Sequence, residues 1–344
     1  MPVPHQRDPE LTRARLRAWL PGRPDVGPVS IPGSGFSTET LIFEASWAGG
    51  DRRRLVARVA GPGHRLYPRA RLDVEFRLMK LLGDGSGVPV PAVHGYEDDP
   101  AVLDGPFFVM DHVDGRTPAD LPSYHREGWV ADLPEEDRAR LWWAGVETLW
   151  RVHRLDASGL GFAAQPGRGA SDLERQLDHY ERHLDFFGAE PDLAGHALAW
   201  LRGHRPPAPP APSLLWGDAR LGNMIFAASG RPAAVLDWEM TSLGDPESDL
   251  AWFLYLDRHL SEGIGAERLP GLPGREETVA RYEKLSGRPV RNLPYYEVFA
   301  GFRLMLITAR LTRLLRANGT VGPGFPLARN TAALLARTLR GVDG

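Results

Sequence analysis

The sequence predicts an α+β protein of two lobes: a small N-terminal lobe with an antiparallel sheet and a helix, then a larger, mostly helical C-terminal lobe. Three observations lead there. At 344 residues the chain is longer than one small core accounts for. Up to about Met110 the apolar pattern runs strand, strand, helix, strand, strand. From residue 135 onward the spacing is helical over most of the chain.

Taken in order, residues 8–20 have helical spacing, with Leu11, Leu16 and Leu20 as the apolar positions. A Gly/Pro-rich stretch leads to GSGFSTET (33–40), a glycine loop ahead of the strand-like Leu41-Ile42-Phe43. The turn residues of AGGDRRR join that strand to a returning strand, LVARVA (55–60). Residues 70–82 are amphipathic and helical, and Val88–His94 and Pro106–His112 read as further strands. The connector VDGRTP (113–118) divides the chain into a nucleotide-binding lobe, 1–112, and a helical lobe, 113–344, which carries the catalytic loop and acceptor site. Helices are expected over 135–155, 171–187, 191–203, 247–260, 275–286, 294–317 and 327–340. A stiff proline run, 206–212, precedes the most informative motif. The boundary between lobes is where a small ligand is expected.

Composition excludes several classes. Cysteine is absent, which removes disulfides, thiolate nucleophiles and Cys-based zinc sites. A net charge of -3 does not indicate a nucleic-acid-binding surface. No run of about 18 apolar residues suggests a membrane span, and MPVPHQRDPE has no apolar signal core. A cytoplasmic protein is expected, with no nucleic-acid or membrane partner. His179 and His183 have metal-ligand spacing on a helix, but Tyr180 stands where a zinc-protease glutamate would be, so they are read as surface residues.

The stretch WGDARLGNMIFAASGRPAAVLDWE (216–239) carries the chemistry. Asp218 is followed after four residues by Asn223, then by two short apolar runs joined by a turn, the second ending on Asp237. A carboxylate base, a metal-binding amide and a metal-binding carboxylate in this order suit phosphoryl transfer from magnesium-bound ATP. Asp218 is expected to accept or orient the proton of the attacking hydroxyl. Asn223 and Asp237 offer the hard oxygen ligands that Mg²⁺ prefers. Arg220, two residues from the base, is placed to hold an acceptor oxygen or the γ-phosphate. Asp249 opens a helix and is expected to brace the catalytic loop through backbone N–H groups.

The nucleotide side is expected in the N-terminal lobe. Gly33 and Gly35 allow close backbone approach to phosphates, and Ser37 and Thr38 add hydroxyls and N–H groups. The only lysines, Lys80 and Lys284, are misplaced for a strand cation, so Arg58 takes that part with Glu75 as its helix partner. Adenine is expected against backbone groups, the Asp111 carbonyl and the Val113 N–H.

With these residues in place, the chain resembles the aminoglycoside phosphotransferase and choline kinase-like superfamily over about residues 25–320. WGDARLGNMIF, AVLDWEMTSLGDPESDLAW, LWRVHRLD and SDLERQL look most like the branch associated with acyl-CoA dehydrogenases. The resemblance implies a protein-kinase-like fold and ATP- and Mg²⁺-dependent phosphorylation of a hydroxyl. It also implies Asp218 as base and Asn223 and Asp237 as Mg²⁺ ligands, with a hydroxyacyl-CoA or hydroxy acid as acceptor. Two residues depart from the family pattern. Trp216 stands where a histidine is usual, and Arg58 stands where a lysine is usual. These departures keep open a nucleotide-binding pseudokinase with a regulatory role, and an antibiotic phosphotransferase of macrolide or aminoglycoside type is a further alternative. Arg303, Arg310, Arg313, Arg316, Arg329, Arg337 and Arg340 face only Glu297 and Asp343, which favours a small anionic or neutral acceptor over a polycation. The oligomeric state cannot be read from the sequence.

Overall fold

The structure is a computed structural model and describes residues 7–32, 37–61 and 65–342. It divides into two compact units: residues 1–84, 91–113 and 311–325, and residues 85–90, 114–310 and 326–344.

The first unit opens with helix α1, Pro9–Trp19, whose N-cap Asp8 accepts from the N–H groups of Glu10 and Leu11. Strands β1 (Asp25–Val26), β2 (Glu39–Ser46) and β3 (Arg52–Val59) follow, then helix α2 (Leu72–Gly83), strand β4 (Val93–Glu97), the short helix α3 (Pro100–Leu103) and strand β5 (Phe107–Asp111). The strands form one antiparallel sheet in the order β1-β2-β3-β5-β4. Alternation along β3 sends Leu55, Ala57 and Val59 to one face, where they join Leu41, Phe43, Phe107, Val109 and the α1 residues Leu16 and Leu20 in a buried core. Val56, Arg58, Phe108 and Met110 take the other face, since Arg58 pairs in register with Phe108 and Val56 with Met110. Helix α2 packs on this second face through Phe76, whose ring lies 6.2 Å from that of Phe108.

The expected strand over 88–94 begins later, at Val93. Pro89 and Pro91 have no N–H to give to a ladder, so pairing starts only past them.

The second unit contains helices α4 (Glu135–His153), α5 (Asp172–Arg182), α6 (Leu184–Phe187) and α7 (Pro191–Gly203), then strands β6 (Ser213–Leu215), β7 (Met224–Phe226), β8 (Pro232–Val235) and β9 (Ser242–Gly244). Helices α8 (Glu247–Leu260), α9 (Arg275–Ser286), α10 (Leu293–Ala317) and α11 (Leu327–Val342) complete it, the end of α10 counting with the first unit. Strands β6 and β9 pair antiparallel, as do β7 and β8. Every residue of α8 except Arg258 is buried. A helix buried all round is the axis on which its neighbours pack, and its side chains are fixed accordingly.

One buried group there makes a pH prediction. His259 on α8 is 4% exposed, and among the described residues its Nδ1 has no hydrogen-bond partner. Burial lowers its pKa from the ordinary 6.5 to about 4. The folded state thus prefers the neutral ring, and its stability is lost as pH falls from about 6.5 towards 4, by about 3 kcal/mol in all. His259→Leu is expected to flatten that part of the stability–pH curve, read by chemical denaturation at pH 7 and pH 4.5. An unchanged slope in the variant would reject His259 as the source.

Candidate active site

Strand β6 delivers the chain into Trp216, and everything after it is held from several sides. Asp249, 0% exposed on α8, accepts from the Trp216 N–H at 2.6 Å and the Gly217 N–H at 3.0 Å. His153 of α4 touches the same carboxylate through Nε2 at 3.2 Å, and its Nδ1 meets the Tyr282 hydroxyl at 2.6 Å. The expected bracing by Asp249 is thus present, with His153 and Tyr282 as supports that the sequence did not suggest. On its other side, the Gly217 carbonyl accepts from Arg303 Nη2 at 2.9 Å. Gly217 has φ +89, and a Cβ there would sit 2.0 Å from the Met240 carbonyl oxygen. Only glycine fits that turn.

The turn presents the Asp218 carboxylate to three side chains. Oδ1 accepts from the Trp252 indole N–H at 2.9 Å. Oδ2 accepts from Asn223 Nδ2 at 2.7 Å and from Arg220 Nε at 3.1 Å. Asn223 Nδ2 also donates to the Asp218 carbonyl at 3.1 Å. An amide has one nitrogen and one oxygen. With its nitrogen engaged by Asp218, the amide oxygen of Asn223 is the end that faces away.

The β7–β8 hairpin then brings the second predicted metal ligand back. The Leu236 N–H donates to the Asn223 carbonyl at 2.9 Å, so Asp237 follows immediately beside Asn223. Asp237 has φ +61, a left-handed conformation uncommon for a residue with a side chain. Such conformations cluster where function sets the backbone. Trp216 contributes here too. Fully buried, it donates its indole N–H to the Leu236 carbonyl at 2.9 Å. Trp216, two residues before the predicted base, thus braces the residue before Asp237 as a donor.

Arg220 is bracketed by two carboxylates, Asp218 and Asp120. Burial disfavours its charge, but Asp120, Asp218 and Asp237 outweigh that and hold its pKa above the ordinary value. The Asp120 carboxyl is pushed up from its ordinary value, by burial first and then by the Asp218 charge, despite Arg220. Sequence reading missed Asp120: it lies 100 residues before Arg220 in a segment without a motif.

In the first unit, Arg58 and Glu75 belong to the same side of the sheet, because α2 covers the face that bears Arg58. Arg58 is half-buried and Glu75 is 2% exposed. A buried glutamate demands compensation, which suits the expected pairing. Thr38 is 6% exposed and Ser37 half-buried, while Gly33 and Gly35 lie outside the described residues. At the end of β5, the Asp111 N–H donates to the Ala92 carbonyl at 2.9 Å. The Asp111 carbonyl therefore points away from β3, as strand geometry requires. Val113 follows it, half-buried.

Three of the seven C-terminal arginines each meet a different neighbour. Arg303 is buried at 3% exposure, Arg310 lies over the Phe186 ring at 4.3 Å, and Arg337 pairs with Glu262 at 3.2 Å. Helical periodicity turns residues of one segment to different sides, and each meets a different neighbour. Among the described residues, no group of three His, Asp or Glu side chains could hold a metal by itself, and no helix is long and apolar enough to cross a membrane.

A sheet-and-helix unit and a helical unit bearing this loop define a phosphotransferase of kinase-like fold. The chain belongs to the phosphotransferase enzyme family, whose sequence model matches residues 33–284. It is 30% identical over 91% of its length to the probable acyl-CoA dehydrogenase IBR3 of Arabidopsis thaliana, and 32% identical over 83% to the human acyl-CoA dehydrogenase family member 11. It spans 39% and 38% of those proteins, about two-fifths of each. Among solved structures, a Ralstonia eutropha protein assigned to the aminoglycoside phosphotransferases superposes with a TM-score of 0.69 at 24% identity, covering 97% of this chain and 98% of that one. An aminoglycoside phosphotransferase solved with ADP and hygromycin B gives 0.59 at 16% identity, covering 93% and 96%. A macrolide 2'-phosphotransferase type I gives 0.58 at 17%, covering 98% of each. These likenesses establish the fold.

Proposed function

We propose that the protein transfers the γ-phosphoryl group of ATP to a hydroxyl of a small molecule, with Asp218 as the base. The observation that carries this is the Asp218–Asn223 contact at 2.7 Å, which fixes the carboxylate and turns the amide oxygen outward. The acceptor hydroxyl attacks phosphorus, its proton passes to Asp218, and ADP leaves. Little base strength is needed when the transition state is loose, so orientation of the hydroxyl is the main task. Arg220 stands beside the base and is suited to hold the phosphoryl oxygens as charge moves.

Asn223 and Asp237 would hold Mg²⁺. One amide oxygen and one carboxylate suffice for this ion, which takes its other ligands from water and phosphate. When bound, the ion neutralises charge on the phosphates. In the first unit, Arg58, positioned by Glu75, is proposed to hold the α- and β-phosphates. The loop of Gly33, Gly35, Ser37 and Thr38 would cover them, and the Asp111 carbonyl and Val113 N–H would meet adenine. Support for nucleotide use comes from the neighbours solved with ADP and AMP-PNP.

For the acceptor, the likeness to acyl-CoA dehydrogenases favours a hydroxyacyl-CoA or a related hydroxy acid. The test is acceptor-dependent ADP release across hydroxyacyl-CoAs, hydroxy acids, aminoglycosides and macrolides, with and without EDTA. Release stimulated by an acyl or hydroxy-acid acceptor and abolished by EDTA is expected. Stimulation by antibiotics alone would replace the acceptor class. Tight ATP binding with no stimulated release would leave the pseudokinase reading in place.

A further inference from the structure

Behind the predicted base lies a cation for which the phosphoryl-transfer scheme has no use. Arg303 of α10 is 3% exposed, yet among the described residues no carboxylate forms an ion pair with it. Its donors go to the Gly217 carbonyl at 2.9 Å and the Tyr180 hydroxyl at 3.2 Å. Its guanidinium lies over the Trp252 ring, 4.4 Å from the centroid, with the Phe299 ring at 5.4 Å. Burying an arginine without an anion is costly, and carbonyl and ring faces repay only part of it. The same Trp252 ring points its N–H at Asp218 Oδ1, 2.9 Å away. Asp249 and Trp252 are three residues apart on α8 and thus on one face. That face holds the loop at two points: the backbone of 216–217, and the carboxylate.

We propose that Trp252 and Arg303 are positioning residues for Asp218, Arg303 acting through the Trp252 ring and the Gly217 carbonyl. A cation over an indole withdraws electron density from it, so the N–H becomes a stronger donor. The donor fixes Oδ1 in the plane of the ring, while Asn223 and Arg220 fix Oδ2. Two anchored oxygens prevent rotation of the carboxylate and leave lone pairs directed at an incoming hydroxyl. Arg303 also fixes the Gly217 carbonyl, one peptide before the base.

This inference rests on the proposed role of Asp218, so one of its tests needs no turnover. The chain has ten tryptophans, and in a ¹⁵N spectrum of the indole N–H groups the Trp252 signal is the one missing from Trp252→Phe. That signal is expected downfield of the others, and to move upfield in both Asp218→Asn and Arg303→Met. A signal that ignores either change would overturn the coupling even if the protein proves to be no kinase. If turnover is found, Trp252→Phe, which keeps an aromatic face but loses the donor, should lower kcat by roughly 10- to 100-fold, as expected for a hydrogen bond to a charged group. Nucleotide Kd should stay unchanged. Arg303→Met should lower kcat with the same split, and Arg303→Lys should recover part of it. The double variant Trp252→Phe/Arg303→Met should lose less than the product of the single losses. Multiplicative losses, or full kcat in Trp252→Phe, would reject the proposal.

Discussion

Asp218→Asn is expected to lower kcat by about 10²- to 10⁴-fold, the usual contribution of a general base, while ATP binds with nearly unchanged Kd. The carboxylate environment says how the variant will sit. Oδ2 receives two donors, from Asn223 and Arg220, and Oδ1 receives one, from Trp252. The amide will place its oxygen toward the pair and its nitrogen toward Trp252, giving up one hydrogen bond. That loss costs about 1–3 kcal/mol of stability, measurable by denaturation. Asn223 thereby keeps its partner, which is why nucleotide affinity should survive. Single-turnover assays and nucleotide titration separate the two quantities. Turnover near that of the wild type would remove Asp218 from the role of base.

The second large effect is expected from Asp249→Ala, a residue that touches no reactant in the proposed scheme. The substitution strips an acceptor from the Trp216 N–H, the Gly217 N–H and His153, all of them buried. Each buried donor left unsatisfied costs about 1–3 kcal/mol, so a loss of about 3 kcal/mol or more is expected. For a domain of this size, Tm falls by about 6 °C or more. Activity should fall with it, because the turn that presents Asp218 loses its lower anchor. Thermal melts and kcat on the same preparations check both. A variant with unaltered Tm would show that the loop is held mainly by Arg303 and the glycine turn.

What could be read from the sequence was mainly local. The D-x₄-N spacing, the following hairpin and the aspartate at its end are close in the chain, and the hairpin brings them close in space. Helices α7, α8 and α9 begin and end where their periodicity and breakers place them. Contacts across long separations were not legible. Asp120 meets Arg220 across 100 residues, and Arg303 meets Gly217 across 86. Nothing in DLPSYH or FRLML announces either contact. In the arginine-rich C-terminal helices, likewise, a count of charges says nothing of which neighbour each one faces. Arg58 and Glu75 lie between these cases, since strand alternation gave the face of one and helical burial the place of the other.

The hold on position 216 has a consequence for how this site can change over generations. Asp249 grips that residue by its backbone, which any amino acid supplies, and the side chain is asked only for one N–H directed at the Leu236 carbonyl. Histidine and tryptophan both meet that request. Drift between them is therefore open without passing through an inactive ancestor, provided the space now filled against Trp238 is refilled. A saturation library at this codon should return a short alphabet of ring N–H bearers among its survivors, while the neighbouring glycine codon should return glycine alone.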